Sequence, residues 1–210
     1  MIAPRKRPLC VKICGITRPD DAVAAVAAGA DLLGFNFHPQ SPRYIAPEDA
    51  APIVAALPPQ VRAVGIFVDA DPAFVEHALA IARLGLLQFH GSESRDYCLR
   101  FAVPAMKALR VASFADLDAA AAAYPEGWLL VDTADPERYG GTGRSLPAVP
   151  VARELARRLF VAGGLKPTTV ADVVRRMRPL GVDACSGVER APGVKDHALL
   201  RDFVTHAKTA

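Results

Sequence analysis

Short apolar runs alternate with alanine-rich amphipathic stretches along the whole chain. Runs typical of buried parallel strands cover residues 9–14, 32–35, 63–68, 86–89, 105–109, 128–132, 159–162 and 182–185. The stretches between them predict helices over 19–29, 47–58, 71–85, 113–125, 149–160 and 166–181, and several open with Asp, Ser or Pro and close near Gly or Pro. In the third stretch, Phe74, Ala78 and Ile81 have the spacing of one buried stripe.

Strands that alternate with helices indicate parallel βαβ units. Eight such strands predict a single (β/α)8 barrel over residues 9–210, preceded by a basic tail over 1–8. An open doubly wound sheet is the alternative. No strand, however, is followed by G-x-G-x-x-G, and "GTGRSL" from Gly141 lacks the last glycine.

Charge and hydropathy exclude several classes of partner. The 210 residues are 51% hydrophobic and carry a formal net charge of +3. The basic cluster Arg5-Lys6-Arg7 has no interleaved aromatic residues, which favours a solvated terminus over a nucleic-acid arm. No apolar run approaches the roughly 20 residues of a membrane span. We therefore expect a cytoplasmic protein without nucleic-acid or membrane partners.

The four cysteines do not form a recognisable metal or disulfide pattern. Cys10, Cys14, Cys98 and Cys185 include no CxxC pair, and no histidine cluster has zinc spacing. Cys10 and Cys14 would lie about 13 Å apart on a strand, whereas disulfide Cα atoms lie within roughly 7 Å. Packing and catalysis remain as roles for Cys14.

Polar side chains gather where the predicted strands end, which is the catalytic face of a barrel. Lys12 and Cys14 share the inward face of the first strand. Lys12 then needs a carboxylate partner, for which the candidates are Asp132, Asp183 and Glu189. A nearby lysine would lower the pKa of the thiol. From these residues alone, Cys14 can be catalytic or an inert buried thiol.

Four further side chains at these tips have two interpretations each. Asp132 ends "WLLVD" and can be a general acid, or a structural partner or helix cap. Arg43 can bind a carboxylate or phosphate group, or it can be an ordinary surface residue. Gln88 and His90 alternate on the fourth strand and face one side, as substrate ligands or as satisfied core groups.

Three glycine-rich tips follow late strands: 140–143, which includes Gly143; Gly163 and Gly164; and Ser186 and Gly187. Backbone N–H groups at such tips can approach an anion closely. Barrels often bind phosphate after strands 7 and 8 beside a short extra helix, which "SGVERAPG" could supply. Tight-turn geometry is the alternative for any one pair, but the set favours phosphate.

The motifs "VKICGIT", "GFNFHPQSPRYI", "LQFHG", "LLVDTADPERYGGTG", "VAGGLKPTTV" and "GVDACSGVERAPGVKD" occur in this order. Together they resemble phosphoribosylanthranilate isomerase of tryptophan biosynthesis across nearly the whole chain. The resemblance implies a cofactor-free (β/α)8 barrel, without a metal. It implies the Amadori rearrangement of N-(5'-phosphoribosyl)anthranilate to 1-(o-carboxyphenylamino)-1-deoxyribulose 5-phosphate.

The same resemblance assigns roles to residues. Cys14 matches the general base, Asp132 the general acid, and Arg43 the residue that holds the anthranilate end. The phosphate loops match Gly143, Gly163, Gly164, Ser186 and Gly187. The sequence departs from the family pattern at "SLPAVP" after the fourth motif. Cys185 stands where serine is common and would add a second thiol near the site.

Other functions remain open. A sister barrel such as indole-glycerol-phosphate synthase would need a catalytic lysine set and usually a longer N-terminal extension. An isomerase that also accepts the histidine-pathway aminoaldose would use two aspartates. A non-catalytic phosphosugar-binding protein would keep the glycine loops but need not keep Cys14 and Asp132 together. We expect a monomer that acts on a small phosphosugar.

Overall fold

Eight parallel strands close into a barrel in chain order, with the first strand paired to the eighth. The computed structural model describes residues 8–111, 116–132 and 150–210. The strands are β1 (Cys10–Cys14), β2 (Leu32–Asn36), β3 (Arg62–Phe67), β4 (Leu86–Phe89), β5 (Ala105–Arg110), β6 (Trp128–Asp132), β7 (Leu159–Ala162) and β8 (Gly181–Ala184). The predicted barrel is confirmed, and the open sheet is excluded by the closure between β1 and β8.

Helices lie between the strands and after the last of them. They are α1 (Pro19–Ala28), α2 (Pro47–Ala55), α3 (Pro72–Ala82), α4 (Arg95–Leu99), α5 (Leu117–Ala122), α6 (Arg153–Ala156), α7 (Pro167–Met177) and α8 (His197–Lys208). A proline occupies the first turn of α1, α2, α3 and α7, where its missing N–H costs nothing. None of the helices in these described segments is long and apolar enough to cross a membrane.

The buried stripe predicted on α3 is wrong in part. Ile81 is 41% exposed, and Phe74 is only partly buried. The residues that face the barrel are Val75, Ala78 and Ala82. The helix is therefore rotated by about one residue relative to the prediction, with Val75 and Ala82 buried in place of Phe74 and Ile81.

The inward face of the barrel is apolar towards the amino ends of the strands and polar towards their carboxyl ends. Its apolar layer consists of Leu32, Val64, Leu86, Met106, Ala108, Leu130, Phe160 and Ala162. On β4, the inward positions run from Leu86 to Gln88 and then to His90, just past the strand end. Polar chemistry is thus confined to one end of the barrel.

A small hairpin follows the barrel strands. Residues 186–188 form one 3-10 turn, which is shorter than the extra helix predicted there. The chain then forms β9 (Glu189–Ala191) and β10 (Val194–Lys195), which pair antiparallel. The hairpin brings Glu189 and Lys195 back towards the end of β1.

Candidate active site

The end of β1 carries Cys14 beside a buried ion pair. The Nζ of Lys12 lies 2.9 Å from Oδ1 of Asp183, and the two side chains are 0% and 8% exposed. Register explains the pair, because Lys12 lies opposite Asp183 on the adjacent strand β8. Of the three carboxylates predicted as possible partners of Lys12, Asp183 is therefore the one that pairs with it.

Both members of this pair have shifted pKa values. Burial lowers the pKa of Lys12, but Asp183 and Cys14 outweigh burial and raise it above its usual value. Burial raises the pKa of Asp183 to about 6, although Lys12 opposes that change. Cys14 and Asp132 raise the pKa of Asp183 further, so three acidic groups share this end of the barrel.

The thiol of Cys14 has a pKa well below its usual value. The largest cause is a hydrogen bond from the Cys185 thiol. Burial raises the pKa, whereas the charges of Lys12 and Lys195 lower it. The pKa of Cys185 is raised in turn by its hydrogen bond to Cys14 and by burial. Cys14 is accordingly the member of the pair that ionises first.

Arg43 is fixed by a carboxylate from the hairpin. Its Nε lies 3.0 Å from both carboxylate oxygens of Glu189, and its Nη2 lies 2.7 Å from Oε2. The side chain is 16% exposed. One edge of the guanidinium is thus held rigidly, and its Nη1 edge carries further donors.

Lys195 is a central group that the sequence analysis did not single out. Its Nζ donates to the carbonyl oxygen of Cys14 at 2.5 Å and to Oε1 of Glu189 at 2.8 Å. Burial raises the pKa of Glu189, but Arg43 and Lys195 outweigh burial and lower it. Lys195 lies within "GVKD", so the motif contained it, but only the hairpin shows which groups it contacts.

Glycine at position 15 lets these groups approach β1. Gly15 has φ +72°, and a Cβ there would lie 2.8 Å from Cδ of Arg43 and 3.1 Å from Sγ of Cys185. Any side chain at this position would be strained and would displace both neighbours. The Cys-Gly order at the end of β1 therefore has a direct structural reason.

Asp132 and His90 face each other at the ends of β6 and β4. The Nε2 of His90 lies 3.6 Å from Oδ2 of Asp132, and their side chains are 21% and 26% exposed. Nε2 of Gln88 lies 3.1 Å from Nδ1 of His90. With the amide donating to Nδ1, the His90 N–H points from Nε2 towards Asp132. Oε1 of Gln88 is buried and has no hydrogen-bond partner among the described residues.

The loops after β7 and β8 are in direct contact. A Cβ on Gly187 would lie 1.9 Å from the carbonyl oxygen of Leu165, so only glycine fits there. Gly163 and Gly164 have φ values of +91° and +66°. Ser186 and Gly187 lie in the 3-10 turn beside them. The structure thus brings four of the five predicted phosphate residues together, whereas Gly143 lies outside the described residues.

Within residues 8–111, 116–132 and 150–210, no group of three or more His, Cys, Asp or Glu side chains could hold a metal ion. Of the predicted tail over residues 1–8, only Pro8 is among the residues that the structure describes.

Comparison with known proteins supports one family. The model of the family described as N-(5'phosphoribosyl)anthranilate (PRA) isomerase matches residues 11–206. A curated N-(5'-phosphoribosyl)anthranilate isomerase of Trichlorobacter lovleyi is 50% identical over 203 residues, which cover 95% of this chain and 98% of that protein. The one from Hahella chejuensis is 44% identical over 205 residues, 97% of this chain and 96% of that protein.

Solved structures agree with the sequence relatives. The crystal structure of phosphoribosyl anthranilate isomerase from Thermotoga maritima has a TM-score of 0.89 at 39% identity and covers 96% of this chain and 100% of that chain. A complex of such an enzyme with reduced 1-(o-carboxyphenylamino)-1-deoxyribulose 5-phosphate has a TM-score of 0.83 at 37% identity, with the same coverage. The chain belongs to the phosphoribosylanthranilate isomerase family.

Proposed function

We propose that the chain converts N-(5'-phosphoribosyl)anthranilate to 1-(o-carboxyphenylamino)-1-deoxyribulose 5-phosphate, with Cys14 as general base and Asp132 as general acid. The observation that carries the proposal is the position of the Cys14 thiol at the end of β1, two residues after the inward Lys12 and beside Lys195, which donates to the Cys14 carbonyl. The hydrogen bond from Cys185 and the charges of Lys12 and Lys195 hold the pKa of this thiol well below its usual value, which favours the thiolate that a base requires.

The reaction needs an acid and a base at separate points on one sugar. Asp132 donates a proton to the ring oxygen, the furanose opens, and an iminium forms at C1. Cys14 then removes the C2 hydrogen and gives the enolamine, which tautomerises to the ketone. Every step is a proton transfer or a bond change within one molecule, so the assigned acid and base account for it by positioning and proton transfer.

The order of strands suits a substrate held between these two groups. Cys14 ends β1 and Asp132 ends β6, and between them around the barrel lie β7 and β8. The loops after β7 and β8 carry Gly163, Gly164, Ser186 and Gly187. A phosphate held there would anchor the sugar between acid and base, as glycine-rich backbone favours.

Three side chains are proposed to bind the rest of the substrate. Arg43, already held by Glu189, would present its remaining donors to the anthranilate carboxylate. His90 lies close to Asp132 and would direct an N–H into the sugar site. Gln88 orients that imidazole through the hydrogen bond between its amide and Nδ1 of His90.

Turnover tests the assignment directly. Phosphoribosylanthranilate is generated in situ, and the loss of its fluorescence is followed after adding purified protein. We expect Cys14→Ser and Asp132→Asn each to lose most turnover while the circular dichroism spectrum is kept. Cys10→Ser is the matched control, because Cys10 lies on the same strand at its opposite end.

The outcomes separate catalysis from binding. Near-wild-type turnover in either variant would contradict that residue's role. A folded wild type without turnover, which still binds inorganic phosphate, would indicate a phosphosugar-binding protein.

A further inference from the structure

Cys14 is the last residue of β1, and Cys185 directly follows the last residue of β8, the adjacent strand of the barrel. The register of β1 and β8 pairs Lys12 with Asp183 and Ile13 with Ala184. One residue further along both strands, Cys14 lies beside Cys185. Neighbouring strands lie about 4.8 Å apart, which falls within the Cα separation of roughly 4.4–6.8 Å that a disulfide spans.

The two sulfur atoms lie near the glycines that adjoin Cys14 in the chain and in the sheet, Gly15 and Gly34. Sγ of Cys185 would be 3.1 Å from a Cβ built on Gly15, the residue that follows Cys14. Sγ of Cys14 would be 3.1 Å from a Cβ built on Gly34, its neighbour in β2. The hydrogen bond between the two thiols is the largest cause of both the lowered pKa of Cys14 and the raised pKa of Cys185.

The surroundings give the two thiols different charges. Lys12 and Lys195 favour the thiolate of Cys14. The pKa of Cys185 is raised, first by its hydrogen bond to Cys14 and then by burial, and its Sγ also lies 3.8 Å from Oε1 of Glu189. A reactive thiolate next to a protonated thiol is the arrangement that peroxide oxidation followed by disulfide formation requires.

We propose that Cys14 and Cys185 form a site of reversible oxidation, at which a hydroperoxide converts the two thiols to a disulfide. The Cys14 thiolate attacks one oxygen of the peroxide, and the O–O bond breaks. Hydroxide (or alkoxide) is released, and Cys14 becomes a sulfenic acid. The Cys185 thiol, losing its proton, attacks that sulfur, and water leaves. The peroxide is reduced by two electrons, and a dithiol such as dithiothreitol reverses the change.

Oxidation at this site would also stop the proposed isomerisation, because the sulfur of Cys14 would be bonded to Cys185 and could no longer accept a proton as a thiolate. That consequence rests on the proposed function. The disulfide itself does not, because it follows from strand register and charge. The two statements can therefore fail separately.

The test uses the full-length protein and hydrogen peroxide. After treatment, free thiols are alkylated, and the digested protein is analysed by mass spectrometry without reduction. We expect a cross-linked pair of peptides that contain Cys14 and Cys185, which separates on reduction with dithiothreitol. Cys10 and Cys98 serve as internal controls. Burial raises their pKa values to about 12 and about 11, so both should resist peroxide and stay free for alkylation once the protein is unfolded.

The variant Cys185→Ser removes the second thiol, and Cys98→Ser is its matched control. In Cys185→Ser, peroxide should carry Cys14 on to the sulfinic acid, which dithiothreitol does not reduce. In Cys98→Ser, as in the wild type, dithiothreitol should restore most of the lost turnover.

The proposal is overturned if the wild type gives no Cys14–Cys185 cross-link, or if Cys14 reaches the sulfinic acid equally fast with and without Cys185. A cross-linked protein that keeps its turnover would support the oxidation site and contradict Cys14 as the base.

Discussion

The ammonium group of Lys195 donates a hydrogen bond to the backbone carbonyl of Cys14, 181 residues away in the sequence. The same ammonium group pairs with Glu189, which holds Arg43. One buried cation thus links the proposed base to the proposed carboxylate-binding residue. The geometry of the site depends on a hairpin that lies outside the barrel itself.

Replacing Lys195 with methionine should damage both stability and turnover. The change leaves Glu189, whose side chain is 4% exposed, with one cation fewer. Breaking a buried ion pair in this way costs about 3 to 5 kcal/mol of unfolding free energy. We expect kcat to fall more than KM changes, because the position of Cys14 is altered while the phosphate loops are kept.

Chemical denaturation and steady-state kinetics measure these two effects. Lys208→Met is the control, since Lys208 pairs with Asp31 at the surface and should cost less than about 1 kcal/mol. Equal stability of the two variants would show that the Lys195 contacts do not matter to the fold.

The reactivity of Cys14 should depend on the charge of Lys12. The lowered pKa predicts that iodoacetamide alkylates Cys14 with a pH midpoint well below 9. Lys12→Met removes a cation that stabilises the thiolate, so the midpoint should move to higher pH. The extent of alkylation is read on the Cys14 peptide by mass spectrometry.

Lys107→Met is a closely matched control for this experiment. Lys107 is also a buried strand lysine in an ion pair, with Glu93 at 3.0 Å, but it lies on the outward face of β5. Both variants should lose stability, and only Lys12→Met should shift the midpoint. A shift of similar size in both would trace the effect to loosened packing.

Loss of the Arg43 charge should weaken substrate binding. Hydrogen bonds to charged groups contribute about 1.5–3 kcal/mol, so Arg43→Gln should raise KM by roughly ten- to a hundredfold. Arg18→Gln is the control, because the Arg18 side chain is 43% exposed. An unchanged KM in Arg43→Gln would show that the anthranilate carboxylate is held elsewhere.

A methyl group on Gly187 should disturb the proposed phosphate site. The added Cβ would overlap the Leu165 carbonyl and push apart the loops after β7 and β8. Gly187→Ala should therefore weaken the competitive inhibition of turnover by inorganic phosphate.

Gly29→Ala separates this effect from general strain. Gly29 also has a positive φ, +94°, but its nearest atoms to a new Cβ are 3.8 Å and 3.9 Å away. It should lose about 1–2 kcal/mol of stability, because alanine is disfavoured at positive φ, and keep its inhibition by phosphate. Unchanged inhibition in Gly187→Ala would count against the loop assignment.

The barrel could be predicted because each strand is a local signal. Every predicted strand end lies within one residue of the observed end. The helix α8 was not predicted, although the signals were present: Asp196 caps it, and Leu200, Phe203, Val204 and Ala207 form its buried stripe. The helix α4 has five residues, too few to show a period.

The sequence was enough to predict most residues of the site, but not which of them contact one another. Strand alternation placed Lys12 and Cys14 on one face. The choice of Asp183 as the partner of Lys12 depends on the β1–β8 register, which only barrel closure determines. The roles of Glu189 and Lys195 depend on the hairpin, whose two short strands carry no periodic signal. The proximity of Cys185 to Cys14 follows from the same closure.

Pairing between β1 and β8 has a consequence for synthesis on the ribosome. The first strand emerges early, but its partner lies at residues 181–184, and α8 packs on both α1 and α7. Until residues 181–184 leave the exit tunnel, the nascent sheet keeps two open edges, which are prone to pair with other chains. Barrel closure, and with it the assembly of the site around Cys14, must therefore wait until β8 has emerged.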